Sequence, residues 1–197
     1  MRYGAEHKQQ TRERVLKEAA KAIRLSGPHQ LGVAEVMAKA GLTHGGFYAH
    51  FKSRDELVAA AVGQMFLDSG APKALADEDR TAIEVLNGYL DFYLSARHRD
   101  SRTSGCPLPY LAADAPRLPE PVRVAFSAGV AGLRRMLASQ LARLGLANAP
   151  EEAASMLAEM VGALSLARAE PDPTLSDAIL DISKTALKRR FKLEPLS

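Results

Sequence analysis

Strand-forming residues and cysteine are scarce in this chain, and it has no long apolar run and no glycine-rich phosphate loop. Val and Ile together supply only 14 of the 197 residues. β-Branched side chains favour strands, so their scarcity argues against an all-β fold and against a parallel α/β sheet. A single cysteine excludes a disulfide framework within the chain and any Cys-rich metal site. The longest apolar stretch without a charge, Leu57 to Leu67, has 11 residues, too few to cross a bilayer. The opening MRYGAEHKQQTRER lacks the apolar core of a signal peptide. A soluble, cytoplasmic protein with no membrane partner is the expectation.

What is present points to helices. Ala (34) and Leu (26) dominate the apolar residues, and both are strong helix formers. The apolar content of 47% and charged content of 25% are those of a globular chain rather than a disordered one. The net charge of +3 hides an asymmetry. Residues 1–52 hold nine Lys/Arg against four acids, and residues 53–197 hold 17 against 19. A basic segment on a near-neutral body suits a polyanionic partner, and equally a solvated basic helix face.

Proline and glycine divide the chain. The first helix is expected over Glu6–Leu25, with Val15, Leu16, Ala19, Ala22, Ile23 and Leu25 as its apolar stripe and Gly27-Pro28 as its stop. A second spans Val33–Ala40, closed by Gly41 in the left-handed position, and a third Thr43–His50. Ser53 and Glu56 form a capping box that opens a helix reaching Ser69. Further helical segments are Thr81–Arg97, Glu120–Leu144, Glu151–Arg168 and Leu175–Phe191. In the Glu120 segment Val122, Phe126, Val130, Leu133, Leu137, Leu141 and Leu144 keep one continuous face. The reading is all-α: a three-helix head over 1–52, then a larger helical body over 53–197.

The stretch Val33 to Leu57, VAEVMAKAGLTHGGFYAHFKSRDEL, has the spacing of a helix-turn-helix. Val36, Met37, Ala40, Leu42, Phe47 and Phe51 lock its two helices, and Thr43, His44, Gly45, Tyr48 and His50 face outward. Gly45 and Gly46 weaken the second helix. They serve either close approach of its backbone to DNA or tight packing on the first helix.

These residues resemble the DNA-binding signature of the tetracycline-repressor (TetR) family: a turn, a short recognition helix ending Tyr48-x-His50-Phe51, then Lys52-Ser53-Arg54 and Glu56-Leu57. The resemblance implies an α-helical homodimer whose recognition helices enter successive major grooves of a palindromic double-stranded operator. It implies that Tyr48, His50, Lys52 and Arg54 contact phosphates or support such contacts. It places His44 and Gly45 at the base edges; Thr43, able to meet a thymine methyl, and Gly46 complete the DNA-binding candidates. Family members often carry Thr and a polar residue at the start of the preceding helix. Gly32, Val33 and Ala34 stand there in this chain, which leaves a backbone N–H as the phosphate anchor.

The resemblance further implies that the body binds an unidentified small-molecule effector and dimerises through its last two helices, with no cofactor or metal. Phe66, Tyr89, Phe92, Tyr93, Tyr110, Phe126 and Met136 are candidate pocket residues, or ordinary core. Met156, Leu157, Met160, Val161 and Leu164 form one candidate dimer stripe, and Leu175, Ala178, Ile179, Ile182 and Ala186 another; burial in the protomer's own core would look the same. Thr103-Ser-Gly-Cys-Pro-Leu resembles a subgroup, which includes the N-ethylmaleimide-responsive repressor, with a Gly-Cys at the start of a mid-domain helix. That adds Cys106 as an electrophile or oxidant sensor, helped by Arg97, Arg99 and Arg102, against the alternative of a packed apolar thiol. The whole reads as a one-component regulator, a repressor and not an enzyme. A small helical enzyme lacks support: His98 has no metal partner at helical spacing and Asp77-Glu78-Asp79 reads as a loop. A non-specific DNA-binding protein would need basic charge along most of the chain.

Overall fold

The computed structural model describes residues 2–193, with side chains from Glu6. It is all-α among these residues: α1 (Arg2–Ser26), α2 (Val33–Lys39), α3 (Arg54–Leu67), α4 (Ala71–Leu75), α5 (Ala82–Tyr93), α6 (Ala96–Asp100), α7 (Leu108–Leu111), α8 (Glu120–Arg143), α9 (Ala149–Ala169) and α10 (Pro173–Arg190). Two 3-10 segments, His44–Ala49 and Ala115–Arg117, complete it. None of the described helices is long and apolar enough to cross a membrane.

Local chemistry sets the boundaries. Gly41 adopts φ +75°, a region that strains other residues, and Leu42 N–H returns 2.9 Å to the Met37 carbonyl to close α2. Ser53 Oγ accepts from the Glu56 N–H at 3.1 Å, as the sequence predicts, while the Glu56 carboxylate accepts from the Lys52 N–H at 2.7 Å. Thr81 and Glu84 cap α5 reciprocally. Asp172 caps α10 through the N–H groups of Thr174 and Leu175.

Three expectations need correction. The third helix is a 3-10 turn rather than an α-helix. The Thr81–Arg97 segment is broken: α5 ends at Tyr93, and Ser95 caps a separate α6 by accepting from the His98 N–H. Leu25 is 56% exposed and does not belong to the α1 stripe.

The fold divides into two compact units. The first comprises the residues up to 69 together with 102–129, and the second 70–101 with the residues from 130 on. The first ten residues of α8 fall in unit one and the rest in unit two. The core of unit one is a single cluster. It contains Val15, Ala19 and Ile23 of α1, Val36 and Met37 of α2, Phe47, Phe51, Leu57, Ala61 and Met65, closed by Leu111, Leu118 and Val122. Burying each of its large side chains contributes about 1.5–3 kcal/mol. In unit two, α10 packs along α9, and Leu86, Leu90, Leu137, Leu141, Met160 and Leu164 are buried.

One close approach in unit one is specific enough to test. A methyl group added at Gly129 would lie 2.2 Å from two Phe66 ring carbons and 2.6 Å from its Cγ, so the whole ring must move. Gly129→Ala is expected to lower stability by about 1–3 kcal/mol, overriding the gain of about 1 kcal/mol that Ala brings to a helix interior. Gly63→Ala, where an added methyl meets open space, should show that gain alone. Urea denaturation of both variants distinguishes the outcomes, and equal stability changes would refute the contact.

Candidate nucleic-acid interface

The recognition turn follows the α2 turn directly. Thr43 precedes it in extended conformation, and the turn then runs from His44 to Ala49. Phe47 points into the core and stacks on Phe51 with centroids 5.7 Å apart; Tyr48 meets Phe47 edge-on at 5.2 Å. These two buried rings fix the second half of the turn and leave Tyr48 and Ala49 between them exposed. Thr43, His44 and Gly45 are exposed, and Tyr48 is 74% exposed. The ring of this open tyrosine is braced on Phe47.

The two glycines separate. A methyl group at Gly45 would meet nothing within 4 Å, and one at Gly46 would make ordinary contact, 3.7 Å from Met37 Cε. Neither has positive φ. The fold therefore demands glycine at neither position, and the packing alternative for Gly45 falls away.

His50 ends the turn. The Arg12 guanidinium of α1 donates to the His50 carbonyl and lies 4.2 Å over the Phe51 ring. The His50 Nδ1 is buried without a hydrogen-bond partner. Desolvation first, then the charges of Lys8 and Arg12, hold its pKa below the ordinary 6.5. Lys8, Arg12 and exposed Lys52 thus form a basic corner around a His50 held towards its neutral form, with the Glu56 carboxylate 4.0 Å from Arg12.

Arg54 has a different environment. Its guanidinium donates to three backbone carbonyls of the loop between α1 and α2: Leu31 at 3.2 Å, Pro28 at 2.6 Å and His29 at 2.9 Å. It braces the head from within. Arg12 was missed by the sequence reading. Its signal was a basic residue one turn before the Val15 stripe, on the same side of α1.

The other candidates distribute over both units. In unit one Phe66 and Phe126 meet at 6.1 Å, with half-buried Tyr110 packed on the same core. Cys106 is 2% exposed and precedes Pro107, the N-cap of the four-residue α7. In unit two Tyr89 and Tyr93 are buried 5.8 Å apart, and Phe92 stacks on buried His98. Met136 is half-buried. His98 Nδ1 lies 2.8 Å from the Tyr93 carbonyl, a packing role. Arg99 donates to Ser176 and pairs with Asp100 and Asp177; the two carboxylates, Asp100 first, raise its pKa, and Arg99 lowers that of Asp100. Met156, Leu157, Met160 and Leu164 are buried within the protomer, and Val161 and Ile179 are half-buried. The outward apolar side chains of α9 and α10 are Leu166 (63% exposed), Leu175 and Ile182 (70%).

Residues 15–61 match the tetR family of bacterial regulatory proteins. Among curated proteins none matches the chain. Solved structures share the fold over nearly the whole length. The reduced form of Escherichia coli NemR aligns with TM-score 0.79 at 20% identity, covering 91% of this chain and 96% of its own. A tetR-family regulator from Agrobacterium tumefaciens aligns at 0.75 and 24%, covering 92% and 98%. One from Chloroflexus aurantiacus aligns at 0.75 and 24%, covering 95% and 96%.

The depressed His50 pKa has a consequence for stability. A group kept neutral in the folded state favours unfolding once it can be protonated, so stability falls as pH drops from about 6.5 through the lowered folded pKa. His50→Gln, which cannot titrate, is expected to flatten that part of the profile. Urea denaturation at pH 7.5, 6.5 and 5.5 measures it; parallel profiles for the two proteins would refute the assignment.

Proposed function

We propose that this chain, whose residues 15–61 match the tetR family of bacterial regulatory proteins, is a one-component transcriptional repressor. It binds a palindromic operator as a homodimer and releases it on binding an effector. The observation that carries this reading is the outward face of the recognition turn: Thr43, His44, open Gly45 and braced Tyr48, next to the Lys8–Arg12–His50–Lys52 corner. The corner suits phosphates, which dominate affinity and make it salt-dependent. The turn suits base edges. With no Arg, Asn or Gln on it, the bidentate code is absent. His44, the Thr43 methyl and DNA shape then carry specificity. Open space at Gly45 lets a groove wall approach the backbone itself.

The dimer face is assigned to Leu166, Leu175, Ile179 and Ile182, since an interface needs apolar surface that the protomer leaves uncovered. The release mechanism is a population shift, in which the effector favours protomer spacings that no longer match two major grooves. Two effector classes fit the proposal: a small molecule held by the aromatic residues of the body, and an electrophile or oxidant acting at Cys106. The burial of Cys106 means that its loop opens before the thiol reacts.

Selection from random duplexes is expected to recover a palindrome with half-sites one helical turn, about 34 Å, apart. Lys52→Ala should weaken binding uniformly and lower the salt slope by about one. Gly45→Ala should keep or raise stability yet weaken operator binding about tenfold or more, 1.4 kcal/mol for each decade. Ile182→Asp should turn dimer binding into weak half-site binding. Recovery of no preferred sequence would sink the reading. For the cysteine arm, Cys106→Ser should abolish electrophile-induced release while leaving operator affinity intact; unchanged release would remove that arm alone.

A further inference from the structure

The last turn of α1 holds a charge that the DNA-facing machinery does not use. Arg24 is buried, at 7% exposure, inside unit one. Its Nη2 donates to the Met65 carbonyl of α3 at 3.2 Å and to the Gly105 carbonyl at 3.0 Å. One guanidinium therefore ties the first helix of the head to the end of α3 and to a loop 81 residues further along the chain. Gly105 adopts φ +88° and is buried, and the next residue is the buried Cys106. The loop leads into Leu111, Leu118 and Val122, which share the core of the head.

The opposite half of α1 carries Lys8 and Arg12, and Arg12 holds the His50 carbonyl at the end of the recognition turn. Arg12 and Arg24 stand on one uninterrupted helix, about 18 Å apart at 1.5 Å per residue. A displacement of Gly105 takes a carbonyl away from a buried cation. A buried charge tolerates the loss of an acceptor poorly, so displacement of the loop penalises the present placement of the end of α1. A constraint on the front of α1, where DNA would sit, conversely favours the arrangement in which the clamp is closed.

We infer that Arg24 is a positioning residue coupling operator occupancy to closure of the 102–106 loop. This rests on the operator reading above. Coupling is reciprocal: if opening the loop weakens DNA binding, bound DNA must hold the loop shut. Arg24 does not touch DNA in this scheme; it acts through α1.

Cys106 supplies a built-in reporter, because a thiol 2% exposed is alkylated only when its loop opens. The full-length protein is treated with iodoacetamide, a neutral reagent, and modification is followed by mass spectrometry. One sample contains the selected operator duplex at saturation and another a scrambled duplex at the same concentration. In the wild type the operator is expected to slow alkylation about fivefold or more, the lower end of ordinary coupling. In Arg24→Met, alkylation should be faster without operator, and operator that is demonstrably bound should give no slowing. Arg24→Lys keeps the charge, but its ammonium ends one bond short of the Nη2 that reaches both carbonyls, so its protection should fall below that of the wild type. Circular dichroism identifies variants that fold, and Arg24→Lys serves if Arg24→Met does not. Wild-type alkylation indifferent to bound operator overturns the coupling. So does wild-type protection in a folded Arg24 variant. Failure to select any operator removes the reading and the coupling with it, whereas a bound operator that gives no protection removes the coupling alone.

Discussion

Burial of Phe47 and Phe51 is the constraint on which the head depends. The recognition turn has six residues, two of them glycine, and no side-chain cap. Such a segment has no stability of its own, since nucleating a turn is unfavourable and glycine adds to the conformational entropy that must be lost. Two rings packed into the α1–α2–α3 core, Phe47 within the turn and Phe51 two residues beyond it, anchor its second half, each contributing about 1.5–3 kcal/mol. Arg12 secures the far end by covering Phe51 and taking the His50 carbonyl. Order in the turn is therefore imported from the core, and the outward side chains have no part in producing it.

Much of this head was legible because its signals are local. Gly41, the Ser53 cap and the Tyr48-x-His50-Phe51 run each act within a few residues, and each appears where the sequence puts it. The 3-10 character of the turn was not legible. It depends on whether N–H groups reach three or four residues back, which core packing decides. The break between α5 and α6 was missed because Ser95 is a weak stop signal without proline or glycine. Arg54 shows another limit: its charge is visible in the sequence, but its three acceptors are main-chain carbonyls 23 to 26 residues away.

The body was legible as helices but not as surfaces. Residues 156–164 and 175–182 both read as apolar stripes. In the fold, Met156, Leu157, Met160 and Leu164 turn inward, and Leu166 lies outside. A helix that is apolar on two sides gives the same periodicity whichever side is covered. The membership of 102–129 in the unit that contains the head was equally hidden, because it arises from contacts between distant parts of the chain, Arg24 to Gly105 among them.

The open space around Gly45 bears on how such a regulator changes over time. Most substitutions in a small domain erode stability, and that loss limits what selection can explore. Here Thr43, His44 and Gly45 lie outside the packing that orders their own backbone, so replacements at these positions leave the core intact. If these three residues face the operator as proposed, target preference can drift there while the head folds as before. A duplicated copy of the gene could then acquire a new set of regulated promoters through a few exposed residues, without first acquiring compensating changes in its interior.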